Sequence, residues 1–103
     1  MNLARPAPLI AAVLLFSQSA HAGSPEHGRN LAENWCSSCH VVSAGQSPSG
    51  RSAPPFTAIA QSSDFSADRL AYLLLDPHPK MAKLGLSRKA IEDIADYIKS
   101  LRQ

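Results

Sequence analysis

Much of what builds an ordinary core is missing from this sequence. Its 103 residues include three Phe, two Tyr and one Trp, and Phe16 falls in an N-terminal segment that the folded domain is not expected to keep. Aromatic side chains bury more apolar surface than most others. A short chain this poor in them is marginal alone and usually needs a staple, a metal or a cofactor. Strand signals and internal repeats are also lacking, so the βαβ setting of a thioredoxin-like C-x-x-C is absent. There is no second C-x-x-C and no H-x-x-x-H, which a closed four-ligand zinc site would call for. The longest apolar run, Leu9 to Phe16, has eight residues, whereas spanning a bilayer takes ~20. Charge is low as well: the formal net charge is +2, which excludes nucleic-acid binding driven by bulk charge.

The short apolar run has a clear context. It follows Met1–Arg5, which carries one basic side chain, and precedes a small, polar stretch ending in Ala20-His21-Ala22. A basic start, an apolar middle and an A-x-A end make a secretory signal peptide. Cleavage is expected after Ala22, so residues 1–22 are a leader and residues 23–103 the domain. That domain is expected outside the cytoplasmic membrane, in the periplasm, without a membrane span after cleavage.

The remainder reads as helices and loops. Glu26 to Trp35 is a helix with Leu31, Ala32 and Trp35 to one side. Ser43 to Pro55 is a loop, dominated by Ser, Gly and Pro. Phe56 to Gln61 allows a helical turn or two. Ser66 caps a helix from Ala67 to Leu75, and Asp76-Pro77-His78-Pro79 stops it. Lys80 to Gly85 is a loop. Ser87 caps a final helix, Arg88 to Leu101, whose Ala90, Ile91, Ile94, Ala95, Ile98 and Leu101 recur every three or four residues. The expected class is all-α, about four short helices joined by long loops.

Between the first helix and the first loop stands Cys36-Ser37-Ser38-Cys39-His40. C-x-x-C-H is the attachment signature of c-type haem. Two cysteines three apart reach the two vinyl groups on one porphyrin edge, and the next histidine falls beneath the iron. A disulfide between the cysteines competes with this reading. So does a zinc site made from the two cysteines, His40 and one of His27 or His78. Haem iron also has a sixth position. Met81 is the one methionine outside the leader, in a Pro/Lys/Gly loop without the helical spacing of a core residue. His78, between two prolines, is the rival ligand.

At this point the sequence resembles the small bacterial class I c-type cytochromes over essentially all of residues 23–103. Gly28 stands where the family's first helix keeps a glycine, which implies a close crossing of the first and last helices. Pro54 with Phe56 resembles the segment whose proline carbonyl receives the N–H of the proximal histidine, with Pro55 adjoining as a second candidate. Pro79-Lys80-Met81 resembles the methionine loop, and Leu86-Ser87 with Ile91, Ile94, Tyr97 and Ile98 the last helix. One departure stands out: where the family often has an aromatic four residues before the first cysteine, this chain has Ala32, with Trp35 beside Cys36 instead. For the haem propionates the resemblance names no partner, and Arg51 is a candidate on charge alone.

The resemblance implies the class I cytochrome c fold around one covalently bound haem c, held by Cys36 and Cys39 and ligated by His40 and Met81, with Pro54 orienting His40. It implies an electron carrier rather than an enzyme, monomeric, cycling between Fe(III) and Fe(II). Lys80, Lys83, Arg88 and Lys89 flank the methionine loop, either as an ordinary solvated face or as a basic rim that would steer the protein to an acidic redox partner, a reductase, an oxidase or a periplasmic dehydrogenase. The other reading is a haem protein with an open sixth site, for gas binding or peroxidase-like chemistry.

Overall fold

Ser24 decides where the first helix begins. Its side chain accepts the His27 N–H at 3.3 Å, and Pro25, whose missing N–H costs nothing in a first turn, becomes the first helical residue. Helix α1 therefore runs Pro25–Trp35, one residue longer than its sequence pattern predicts. The computed structural model describes residues 2–9, 11–13, 15, 23–75 and 84–103. Three more helices follow: α2, Phe56–Gln61; α3, Ala67–Leu75; and α4, Arg88–Ser100. Ser66 and Ser87 cap α3 and α4 as expected, accepting the N–H groups of Arg69 and Ala90, each at 3.1 Å. Among the described residues there is no strand, and the all-α class holds.

Helix α4 is the centre, with α1, α2 and α3 all packed against it. Ile91, Ile94 and Ile98 are essentially buried, each worth about 1.5–3 kcal/mol of burial. Ile94 and Ile98 form one cluster with Ala32, Val42, Phe56, Ala60 and Tyr97. Two aromatics in a core of this size bear out the scarcity seen in the composition.

The closest approach is between α1 and α4. A Cβ placed on Gly28 would lie 1.9 Å from the Asp93 carbonyl oxygen, so only glycine fits there. One turn further on, Ala32 is fully buried. An alanine suffices at this position because the helices are already in contact, and Trp35 stays half exposed.

In the segment expected to be a leader, described residues 2–9, 11–13 and 15 adopt neither helix nor strand, and Leu3, Leu9, Val13 and Leu15 are exposed. The cleavage position expected after Ala22 lies outside the described residues. No helix among the described residues is long and apolar enough to cross a membrane.

Candidate haem-attachment site

Cys36 is the residue that ends α1, its N–H still bonded to the Ala32 carbonyl at 2.9 Å. The chain then turns tightly: the Cys39 and His40 N–H groups both return to the Cys36 carbonyl, at 3.2 and 2.9 Å. This turn brings both thiols and the imidazole to one side. Cys36, Cys39, His40 and Pro54 line a single cavity of about 690 Å³, a size typical of cofactor sites. Phe56, Ile59, Leu70, Leu73, Leu74 and Ile98 supply much of its apolar wall.

His40 is held from three directions. Its ring Nδ1–H donates to the Pro54 carbonyl at 2.5 Å. A carbonyl only accepts, so the proton sits on Nδ1 and the Nε2 lone pair stays available to a metal. The Phe56 ring leans against the imidazole, centroids 5.3 Å apart and tilted 58°. Backbone bonds flank it on either side: Ala53 N–H to the Cys39 carbonyl at 3.2 Å, and Phe56 N–H to the Val41 carbonyl at 2.9 Å. Of the two adjoining prolines, Pro54 faces His40. The Pro55 carbonyl instead accepts the N–H groups of Ala58 and Ile59 as α2 begins.

The thiols are not bonded to each other. Burial, reinforced by nearby Cys39, pushes the Cys36 thiol up to about 11. It is therefore an S–H at neutral pH, the form whose addition across a vinyl group gives a thioether. Among the described residues no three His, Cys, Asp or Glu side chains converge on a metal-sized site. His27, one possible fourth zinc ligand, instead donates from Nδ1 to Asp93 at 2.5 Å. Two thiols and an imidazole around an apolar cavity fit a covalently attached macrocycle, and fit neither competing reading as well.

Met81 and its rival His78 lie outside the described residues, as do Lys80 and Lys83. Arg51 is not among the residues lining the cavity: its Nε donates to the Ser37 carbonyl at 3.0 Å and one terminal nitrogen to the Ser49 carbonyl at 3.2 Å. Among the described residues, the cation that lines the cavity is Arg69, paired with Asp64 at 3.2 Å.

Two residues of consequence escaped the sequence reading. Gln46, deep in the Ser/Gly/Pro loop, bonds to the main chain of the attachment segment through its side-chain amide. Asp93, on α4, is buried and receives the Ser24 N–H at 2.7 Å, His27 Nδ1 at 2.5 Å and Lys89 Nζ at 2.6 Å. Burial pushes its carboxyl up, but Lys89, His27 and the Ser24 N–H outweigh that and hold it at about 2.

Compared with known proteins, the chain is 50% identical over 94 residues to "Cytochrome c-552" of Bradyrhizobium diazoefficiens, a match spanning 91% of this chain and 90% of the relative. No family model and no solved structure matches it.

Proposed function

The chain belongs to the small bacterial c-type cytochromes, and from that premise we propose a periplasmic electron carrier whose haem c is held by Cys36 and Cys39 and ligated by His40 and Met81. The observation that carries this reading is the convergence of Cys36, Cys39 and a Pro54-oriented His40 on one apolar cavity. Bound haem c supplies a one-electron Fe(III)/Fe(II) couple. The chain's own part is to hold that couple still. Pro54 fixes the tautomer and direction of the His40 ring and raises its basicity. The apolar wall excludes water, which favours electron exchange without ligand exchange. A match over 94 residues reaches into the leader, which supports residues 1–22 as an export signal shared with the relative.

Haem staining after denaturing electrophoresis tests the covalent attachment, and the mass of the secreted chain tests a start at Gly23. Met81→Ala tests the sixth ligand. The haem should remain covalently bound. The iron–sulfur charge-transfer band should vanish, the midpoint potential should fall, and carbon monoxide should bind. Unchanged band and potential would remove Met81 from the ligand set. A low-potential or sensing role, with His78 on the iron, would then replace the carrier.

A further inference from the structure

The attachment segment cannot satisfy its own backbone. It is neither helix nor strand, yet Val42 is buried at 1% exposure, and buried backbone donors require partners. Gln46 provides one. Its Oε1 accepts the Val42 N–H at 2.9 Å. Its Nε2 donates to the Ser37 carbonyl at 3.0 Å and to the His40 carbonyl at 2.8 Å. The orientation of the amide is not arbitrary: Val42 N–H only donates and the two carbonyls only accept, so one amide rotamer satisfies all three.

Position gives these bonds their meaning. Ser37 precedes Cys39 and His40, and Val42 follows them. Gln46 thus bridges the two ends of the stretch that carries the second cysteine and the iron ligand, and also grips the His40 carbonyl itself. The His40 N–H is already held by the Cys36 carbonyl at 2.9 Å, and the Val42 carbonyl receives the Tyr97 hydroxyl at 2.5 Å. With Gln46 in place, the His40 main chain is fixed on both sides. Its ring then reaches the Pro54 carbonyl from a fixed main chain.

We propose that Gln46 is the positioning residue for the iron ligand: by bridging Ser37, His40 and Val42 it sets the His40–Pro54 hydrogen bond and thereby the reduction potential. This rests on the c-type haem reading above. A strong Nδ1–H···O=C bond makes Nε2 a better donor and favours Fe(III). Loosening His40 weakens that bond, so the potential should rise.

The test compares covalently loaded wild type with Gln46→Met, which keeps the length of the side chain and none of its hydrogen bonds. Arg102→Gln is the control. It removes a hydrogen bond from Arg102 Nε to the Ala60 carbonyl, 2.9 Å, away from the attachment segment. Gln46→Met should raise the midpoint potential and shift the His40 ring resonances, while Arg102→Gln lowers thermal stability without moving either. If Gln46→Met lowers stability alone, Gln46 is a loop brace and the proposal fails. Should that variant not fold, hydrogen exchange in the wild type decides. The Gln46 side-chain amide should exchange more slowly than that of exposed Gln61, and equal rates overturn the proposal. A wild-type chain with no stainable haem overturns the cytochrome reading itself. Stainable haem with an unmoved potential overturns only the role of Gln46.

Discussion

The α1–α4 crossing and the attachment segment differ in what closes them. At the crossing the protein meets itself. Gly28 lets backbone touch backbone, Ala32 is fully buried, and Asp93 ties α4 to both the first turn of α1 and its cap. At the attachment segment one side is a web of hydrogen bonds from Gln46, Ala53, Pro54, Phe56 and Tyr97, and the other is a cavity. The crossing is complete as a piece of protein. The attachment segment is shaped by the protein but packed only when the cavity is filled. A chain with few aromatics can divide its core this way, building half from helices and leaving half to a cofactor.

If that division is correct, the crossing can be broken without touching the chemistry. Gly28→Ala is the severest single change expected. Alanine favours a helix by about 1 kcal/mol over glycine, but its Cβ would sit 1.9 Å from the Asp93 carbonyl oxygen. The helices must separate, at a cost of about 3 kcal/mol. In a domain of this size that lowers Tm by roughly 10–25 °C. The molecules that fold should keep the absorbance spectrum of wild type, because the crossing holds no ligand. A changed spectrum with unchanged Tm would mean that the two regions are coupled through α1.

How far the sequence revealed each region follows from the same division. Helix boundaries came within one residue, because Ser66 and Ser87 cap where expected and apolar spacing marks α4, while the unread Ser24 cap starts α1 one residue early. Cys36, Cys39 and His40 were visible because their chemistry demands a contiguous motif. Gly28 and Pro54 became visible only through family resemblance, since each acts on a distant residue. Gln46 gave no signal at all: its loop has the composition of any surface loop, and its partners are main-chain groups that carry no residue identity. Asp93 was hidden for another reason. The apolar repeat of α4 assigns it to the polar face, but α1 covers that face and buries the carboxylate with its cations.

Asp93 makes the crossing sensitive to acid, which gives a milder way to separate the regions. Its carboxyl is held at about 2 in the folded chain, against ~3.9 in an unfolded one. The folded value is depressed, so its contribution is complete above pH ~4 and is lost as pH falls toward 2. Asp93→Asn should cost about 1–3 kcal/mol at neutral pH. It should also flatten the acid side of the stability profile, so that mutant and wild type converge near pH 2. Urea midpoints measured from pH 7 to pH 2 check both. Parallel profiles would show that another carboxylate governs acid unfolding.

The smallest effect concerns Lys80, Lys83, Arg88 and Lys89, the basic residues around the expected methionine loop. Arg88 lies 2.5 Å from Asp68 and 3.4 Å from Glu92, and Lys89 lies 2.6 Å from Asp93. Each positive charge therefore faces at least one negative charge at contact distance. Beyond a Debye length of ~8 Å such groups present almost no net field. Exposed pairs like those of Arg88 also add little to stability. Lys80 and Lys83 lie outside the described residues, and steering by them is the part of the proposed docking that remains to be tested. Electron exchange with an electrode bearing a carboxylate-terminated monolayer offers a defined acidic surface. Arg88→Gln should change the exchange rate by less than about twofold at low salt. Lys80→Glu with Lys83→Glu should slow it clearly, and added salt should erase the difference. An equal loss from Arg88→Gln would mean that its ion pairs open at the surface and that all four cations act as one patch. A rate indifferent to salt in wild type would leave the lysines as a solvated face, with docking governed by the apolar surface around half-exposed Trp35.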